Sequence, residues 1–455
     1  MKQKYTFHKS VRGHLHIMRE IPCEDYSDSY ADAKGRYYIA IVADGHGAAE
    51  CFRSSVGSEQ ATRIAMSCLR ELAESVLESE ESEKKFCEGL CSNPRSRQST
   101  IRRLTDTIIA KWHDSINEDY KNNPPTQEEM SAYLEKYKEK AEEHIPHIYG
   151  TTLMAALQLS GCLLLLHQGD GRCDVFYADG SVDQPIPWDA RCEDTAVTSM
   201  CDSDATDSIR SCVIDLTEKE VIACYLGCDG VEDAYRDTYE NLGDTHVLMG
   251  GVHTFYKDLT CQLDELGPDT FETNIGQMLS EFSAVGRFSN SGSGDDVSVA
   301  AIVDLKAIKK VVEQFALDVK RYELEENLFW KEEELRGKLR KHDILKKRMC
   351  AAENEVLKFD DYLKKLESQK NELEKKISDE YQKKRRDYAI SLQNAKQNFE
   401  EAKILFEEYD AKYQEIKEES QKIRIEIQQL AVNQEKSIVE EKVEVQEEKK
   451  KWIFF

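Results

Sequence analysis

Apolar and polar stretches alternate along the first 305 residues and mark a series of short strands. Continuous apolar runs predict buried strands at Tyr37–Ala43, Val221–Cys228 and Val297–Val303. Two further runs, Thr151–Leu159 and Gly161–His167, follow each other so closely that a hairpin is expected. Strands joined by short turns, with helices segregated between them, indicate an α+β fold built from antiparallel sheets.

Apolar residues at helical spacing predict helices over about Ser58–Leu77 and over most of 244–285. Residues 78–145 are highly charged and mostly helical in period, so they are interpreted as a helical insertion. A strand is expected around Val11–Met18, whereas residues 183–215 are expected to be irregular. Residues 1–305 are therefore predicted to form one domain.

The last 150 residues follow a different pattern. Apolar residues from Leu345 to Leu430 alternate at spacings of three and four over about twelve heptads, which predicts a coiled coil at 345–435. A helical connector is predicted at 306–344 and a charged tail at 436–455. Read as one helix, the repeat would span roughly 130 Å. We expect it to self-associate or to bind a helical partner. An antiparallel hairpin stays open, although no Gly, Pro or Asn-Gly marks a reversal.

The acidic charge of the chain is confined to its first part. Residues 306–455 contain 34 basic and 34 acidic side chains, so the whole formal charge of -25 belongs to residues 1–305. Such an acidic surface argues against nucleic acid or an anionic membrane as a partner of this part. No apolar run reaches the roughly 18 residues that suggest a transmembrane helix.

Cysteine usage and the N-terminal sequence indicate a reducing, cytoplasmic location. The 14 cysteines are scattered, and no two have the Cys-x-x-Cys spacing of a zinc or redox site. The chain begins with MKQKYTFHKS and has no apolar stretch behind it, so no signal peptide is expected.

Candidate chemistry begins with Asp44-Gly45-His46-Gly47, which directly follows the Tyr37–Ala43 strand. A carboxylate at the end of a buried strand is held rigidly, and the glycines let the backbone turn and expose a carbonyl oxygen. Such a cluster suits a hard divalent metal with a titratable histidine beside it. Taken alone, the four residues fit an ordinary Asp-Gly turn better.

Further carboxylates lie beside the ends of other predicted strands. They are Glu24-Asp25, Asp170 in Gly169-Asp170-Gly171, Asp229 before Gly230, and Asp295-Asp296. Because antiparallel strands can bring such ends to one edge of a sheet, these side chains predict an oxygen-rich pocket for Mg²⁺ or Mn²⁺.

Five motifs, in their order and approximate spacing, resemble the protein phosphatase 2C family of metal-dependent phosphatases over about residues 8–305. They are strand-DGHG at 37–47, GTT at 150–152, GDG at 169–171, strand-DG at 229–230 and GDD at 294–296. Pro22-Cys23-Glu24-Asp25 resembles the segment that precedes the DGHG strand in the bacterial branch. The resemblance implies a four-layer α-β-β-α sandwich of two antiparallel sheets with a two-metal site at one end.

The resemblance also implies a role for each matching residue, with Mn²⁺ or Mg²⁺ as the ions. Asp44 would bridge two metal ions. Glu24 and the Gly45 carbonyl would bind one of them, Asp229 and Asp295 would bind the other, and Asp170 would bind a third ion more weakly. Asp25 would lie behind the ligands, and His46 would be the general acid. Three alternatives stay open: Asp296 could replace Asp295, Asp170 could be structural, and His46 could simply occupy the turn.

These roles fit the chemistry of phosphoserine and phosphothreonine hydrolysis in proteins. Two divalent ions stabilise phosphate charge and activate a water, and an imidazolium can protonate the leaving alcohol. No cysteine nucleophile is required.

The match departs from the family at the phosphate-binding arginine. Many members carry it four residues before the glutamate, where this chain has Glu20. Arg19 and Arg12 are candidates, but a one-residue slip would turn a strand side chain to the opposite face. The residue that binds phosphate is therefore left unassigned. A second hypothesis follows, in which the chain is a pseudophosphatase or scaffold acting through its coiled coil.

Overall fold

The computed structural model describes residues 4–137, 145–192, 196–235, 239–242, 245–248, 250–372 and 379–451. Its contacts divide the chain into two units, Met1–Tyr322 and Glu323–Phe455. The boundaries predicted after residues 305 and 344 stay predictions. No described helix is long and apolar enough to cross a membrane.

Most strands of the first unit form two antiparallel sheets. Their bounds are β1 Lys4–Val11, β2 Tyr26–Ala31, β3 Tyr38–Ala43, β4 Leu153–Gln158, β5 Cys162–Gln168, β6 Arg172–Tyr177, β7 Val182–Asp183, β8 Arg210–Asp215, β9 Val221–Gly227, β10 Tyr239–Leu242, β11 Thr245–Leu248 and β12 Val297–Asp304. One five-stranded sheet has the order β1-β12-β9-β6-β7, and the other has the order β2-β3-β4-β5-β8. Strands β10 and β11 pair separately.

Helices cover the outer faces of the two sheets. The helices of the first unit are α1 His14–Arg19, α2 Ser54–Val76, α3 Glu80–Ser92, α4 Pro94–Asn122, α5 Glu129–Tyr137, α6 Ala205–Ser208, α7 Asp229–Glu232, α8 Gly251–Leu266 and α9 Pro268–Val285. Helix α10 Val312–Glu372 begins in the first unit and continues into the second, which also contains α11 Asp379–Lys451. Helix α2 packs on β2 and β3, whereas α9 packs on β1 and β12 of the other sheet. The predicted α-β-β-α sandwich is confirmed.

Strand β3 shows why its sequence is apolar without interruption. Tyr38, Ala40 and Val42 point into the core between the two sheets, whereas Ile39 and Ile41 pack in the core that the helices cover. Successive side chains of a strand alternate between its faces, so a strand buried on both sides needs apolar residues at every position.

The helical insertion is part of the core rather than an appendage. Trp112 of α4 is fully buried and its indole Nε1–H donates to the Gly57 carbonyl of α2 over 3.0 Å. A Cβ at Gly57 would lie 1.9 Å from the Tyr149 carbonyl oxygen, so only glycine allows this close approach.

Two secondary-structure predictions are wrong in the first unit. The expected strand at Val11–Met18 ends at Val11 and is followed by α1, because Val11 pairs with Val297, the first residue of β12, and the ladder ends there. The stretch 183–215 is not wholly irregular, since β8 pairs with β5 at the sheet edge. Its half-buried, partly polar sequence RSCVID gives a weak strand pattern.

The second unit corrects the interpretation of the heptad repeat as one long helix. Helices α10 and α11 run antiparallel, with Lys331 Nζ 3.0 Å from Glu419 Oε2 and the rings of Tyr362 and Tyr388 4.2 Å apart. The predicted apolar positions are the half-buried or buried ones, so the two halves of the repeat pack against each other. The reversal, with Leu373 and Ile377, lies outside the described residues, as do residues 452–455 of the predicted tail.

Candidate functional site

A pocket of about 610 Å³ brings the predicted site residues together. The antiparallel register explains why. Ala43, the last residue of β3, pairs with Tyr26, the first residue of β2, so Asp44 lies beside Asp25. Gly227, the last residue of β9, pairs with Arg172 of β6 and with Val299 of β12. The segments that carry the other carboxylates therefore meet at the same end. The predicted residues that line the pocket are Glu24, Asp25, Asp44, Gly45, His46, Asp170, Asp229 and Asp295, with Asp296.

The GTT motif fixes the turn that carries Asp44. The Asp44 backbone N–H donates to Thr152 Oγ1 over 3.0 Å, and the Asp44 carbonyl accepts from Thr151 Oγ1 over 2.8 Å. The His46 N–H donates to the Gly150 carbonyl over 3.0 Å. The backbone of Asp44 is thus held from both sides.

Close backbone approach at Gly45 brings Glu24 into the site. A Cβ at Gly45 would lie 2.4 Å from the Glu24 carbonyl oxygen. Helix α2 completes the hold on this glutamate, because Ser54 Oγ donates to Glu24 Oε1 over 2.7 Å and Ser58 Oγ donates to the Glu24 carbonyl over 2.5 Å.

The carboxylates of the pocket repel one another. Burial, followed by the charges of neighbouring carboxylates, raises the pKa values of Asp44 and Asp25 well above their usual range. Burial and then Asp170 raise the pKa of Asp229 to about 6. The Oδ2 atom of Asp25 is buried without a hydrogen bond among the described residues. Since carboxylate and carbonyl oxygens are the donors that Mg²⁺ and Mn²⁺ prefer, this set fits divalent cations.

Ligand atoms in the pocket are close enough to share an ion. One group joins Asp25, Asp44 and Cys228, and another joins Asp229, Asp233 and Asp295, with the donor atoms of each group within 4.8 Å of one another. Asp233 and Cys228 were not among the residues predicted from sequence.

Asp295 and Asp296 have different surroundings. Asp296 is buried, and its two oxygens accept from the N–H groups of Gly13 and Glu24, each over 2.6 Å. The Asp295 side chain is 45% exposed and lines the pocket. Asp296 therefore acts as a brace for the backbone before β2, which leaves Asp295 as the better placed of the two to bind a metal.

His46 is held by a residue that the sequence did not single out. Its Nε2 lies 2.7 Å from Ser199 Oγ, and that hydroxyl donates to the Thr151 carbonyl over 3.1 Å. Burial, reinforced by His147, lowers the pKa of His46 to about 4. The imidazole is thus neutral at pH 7 in the ligand-free protein, and acting as a general acid requires a bound anion that raises its pKa.

Neither arginine candidate for phosphate lines the pocket. Arg12 donates to the His16 carbonyl over 3.0 Å, and Arg19 is exposed at the end of α1. Among the described residues, the lining contains no arginine or lysine, and its cationic candidates are His16, His46 and His147. His16 had no signal in the sequence, because its position depends on a helix where a strand was expected.

A buried arginine connects two of the acidic turns. Arg172, directly after the Asp170 turn, pairs with Asp174 over 3.1 Å and with Glu232 of α7 over 2.9 Å. Although burial opposes it, Arg172 holds the pKa of Asp174 below its usual range. Because Asp229 is the first residue of α7, this cluster fixes the distance between two predicted ligands.

Comparison with known proteins agrees with the motifs. A model of the protein phosphatase 2C family matches residues 12–266. No curated protein sequence matches the chain. Similar solved structures include the serine/threonine phosphatase Stp1 from Staphylococcus aureus, with 13% identity over 67% of this chain and 95% of that chain and a TM-score of 0.37. The catalytic domain of PstP in complex with two manganese ions has 16% identity over 66% of this chain and 97% of that chain, with a TM-score of 0.36. The S. agalactiae serine/threonine phosphatase has 12% identity over 66% of this chain and 99% of that chain, also with a TM-score of 0.36.

We predict that Asp229→Asn stabilises the metal-free protein at pH 7.5. The folded-state pKa of Asp229, about 6, lies above its ordinary value of 3.8. The folded chain therefore binds the extra proton at acidic pH, and its stability falls as the pH rises towards 6. Removing the charge should add about 1–3 kcal/mol at pH 7.5 and roughly half of that at pH 5. Urea unfolding in a chelator measures both. Asp183→Asn, at an exposed aspartate, is the control. If the stability difference between Asp229→Asn and the wild type grew towards acidic pH, the raised pKa of Asp229 would be contradicted.

We also predict that alanine substitutions at the adjacent residues Asp295 and Asp296 reduce the free energy of unfolding by different amounts. Asp296→Ala leaves two backbone N–H groups without acceptors and should destabilise the metal-free protein by about 2–4 kcal/mol. Asp295→Ala should cost less than about 1 kcal/mol in the same urea titration, because its side chain is much more exposed. Equal losses would show that Asp296 is not the brace.

Proposed function

The chain belongs to the protein phosphatase 2C family, and we propose that it is a metal-dependent phosphatase acting on phosphoserine and phosphothreonine in proteins. The observation that carries this proposal is the pocket at the strand ends, where buried and half-buried carboxylates lie close together and the described lining residues include no arginine or lysine. That arrangement is unfavourable unless cations bind it.

We propose Mn²⁺ or Mg²⁺ as these cations, two in number and with room for a third. The residues that would hold them are Asp44, Glu24 and the Gly45 carbonyl on one side, Asp229 and Asp295 on the other, and Asp170 for the third. When bound, divalent ions stabilise the charge of a phosphate ester and activate a water. Asp25, behind Asp44, would tune the charge of the site.

The remaining steps belong to side chains of this chain. His46 is positioned by Ser199 and would hold the proton that the leaving alcohol needs once phosphate has raised its pKa. The clamp of Thr151 and Thr152 on Asp44 keeps the ligand turn rigid, which a preorganised site requires.

A scaffold without catalysis is the second candidate. The observation that favours it is the pocket lining, which among the described residues has no arginine or lysine to bind phosphate. A cluster of buried and half-buried, mutually repelling carboxylates is costly to keep for a purely structural role, which favours the enzyme.

The purified 455-residue chain should hydrolyse a phosphothreonine peptide in the presence of Mn²⁺, and hydrolysis should stop when a chelator is added. Asp229→Ala should lower kcat on the order of 10²–10³-fold or more, because it removes a group that holds the catalytic charge. Asp183→Ala, an exposed carboxylate, should leave the rate unchanged. Absence of Mn²⁺-dependent turnover from metal-loaded wild type would favour the scaffold.

We propose that the helical hairpin mediates assembly, either with a second copy or with a helical partner. Its seam is already covered within the chain, so assembly must use its outer faces. These still expose apolar side chains, since Leu357 and Ile390 are each 57% exposed and Ile404 is 54% exposed. A cytoplasmic location is also proposed, supported by cysteines of which no two form a disulfide among the described residues.

Light scattering tests self-association directly. We expect the full chain to have twice its mass of 52.3 kDa and Ile404→Asp to shift it towards the monomer, because a buried charge opposes an apolar contact. Lys403→Asp, one residue away and exposed, is the matched control. A monomeric wild type at micromolar concentration would exclude self-association, and binding of a helical partner protein would remain as the proposed role of the hairpin.

A further inference from the structure

A histidine outside the family motifs faces the predicted metal ligands. His16 lies on α1, and its side chain is only 14% exposed. Its Nε2 is 3.3 Å from Asp295 Oδ1, and its Nδ1 is 2.9 Å from Asp296 Oδ1. The donor atoms of these three residues lie within 4.8 Å of one another. One ring nitrogen thus faces each aspartate.

The backbone around His16 is built to keep it there. Asp296 Oδ1 also accepts from the Gly13 N–H, so the same carboxylate fixes the start of α1. A Cβ at Gly13 would lie 2.3 Å from the Asp295 carbonyl carbon, which means that only glycine allows α1 to come so close. Leu15 N–H donates to the Gly294 carbonyl over 2.8 Å. The helix is therefore attached to the segment that carries both aspartates.

This arrangement matches that of a histidine which binds a metal. Such histidines present one nitrogen to the ion and the other to a carboxylate that fixes the ring. Asp296 is the fixed carboxylate here. Nδ1 is buried and makes no well-aligned hydrogen bond although Asp296 is near, so a small rotation of the ring would complete the pair. Nε2 then points to the ion that Asp295 would hold.

We propose that His16 Nε2 is a nitrogen ligand of the metal bound by Asp295 and Asp229. The proposal rests on the proposed function, because it needs the metal centre. The separation of 3.3 Å between Nε2 and Asp295 Oδ1 lets both reach one ion through bonds of about 2.1 Å. A nitrogen donor shifts the preference of the site towards first-row transition ions such as Mn²⁺ and away from Mg²⁺, which favours oxygen ligands.

Pulsed electron paramagnetic resonance of Mn²⁺ bound to the full chain tests this contact without relying on turnover. We expect nitrogen modulation from a directly bound imidazole in the wild type, lost in His16→Gln. By calorimetry, His16→Gln should lower Mn²⁺ affinity by about 10–100-fold and reduce the ratio of Mn²⁺ to Mg²⁺ affinity. His14→Gln is the matched control, because His14 is exposed on the same helix and should change neither measurement.

The possible results separate this proposal from the proposed function. Mn²⁺ binding without nitrogen modulation in the wild type overturns the role of His16 and needs no variant that might misfold. Modulation that persists in His16→Gln and disappears in His46→Gln assigns the nitrogen to His46 and overturns it equally. A wild type that binds no Mn²⁺ overturns both proposals. Thermal unfolding of each variant in a chelator establishes that it is folded.

Discussion

The crowding of buried and half-buried carboxylates at one end of the sandwich, where they are removed from water and repel one another, is the constraint on which the site depends. Left alone, Asp25, Asp44 and Asp229 would separate or take up protons, because burial, and after it the charge of neighbouring carboxylates, raises their pKa values. The surrounding structure prevents the carboxylates from moving apart. Hydrogen bonds from the GTT motif hold Asp44, and the Arg172 cluster holds the helix that starts at Asp229. A divalent cation bound among the carboxylates would remove the need for them to take up protons.

The carboxylates could be placed from sequence because strands bracket them. Strand β3 is an unbroken apolar run and β9 is nearly one, so their ends are visible in the sequence, and Asp44 and Asp229 follow those ends. Antiparallel pairing then brings the ends together. His16 and Ser199 could not be found this way. One lies on a short helix just beyond the last rung of a ladder, and the other lies in a loop with no period, so their positions depend on tertiary contacts alone.

The absence of arginine and lysine from the described pocket lining changes how phosphate would be held. Guanidinium groups bind phosphate with two parallel hydrogen bonds and are always charged. His46 and His147 offer single contacts, and His46 is neutral at pH 7 before an anion binds. Most of the attraction for a phosphate dianion would then come from the cations. Such a site would be more sensitive to metal identity and concentration than one with an arginine clamp.

The heptad repeat shows what a sequence pattern specifies and what it leaves open. Apolar residues at alternating spacings of three and four specify a face that must be covered, but not which helix covers it. A second copy must be brought from solution, whereas the other half of the repeat belongs to the same chain and is present at a high effective concentration. Folding back therefore competes well whenever the connection allows it. An apolar side chain such as Ile404 then stands outside the seam and is 54% exposed.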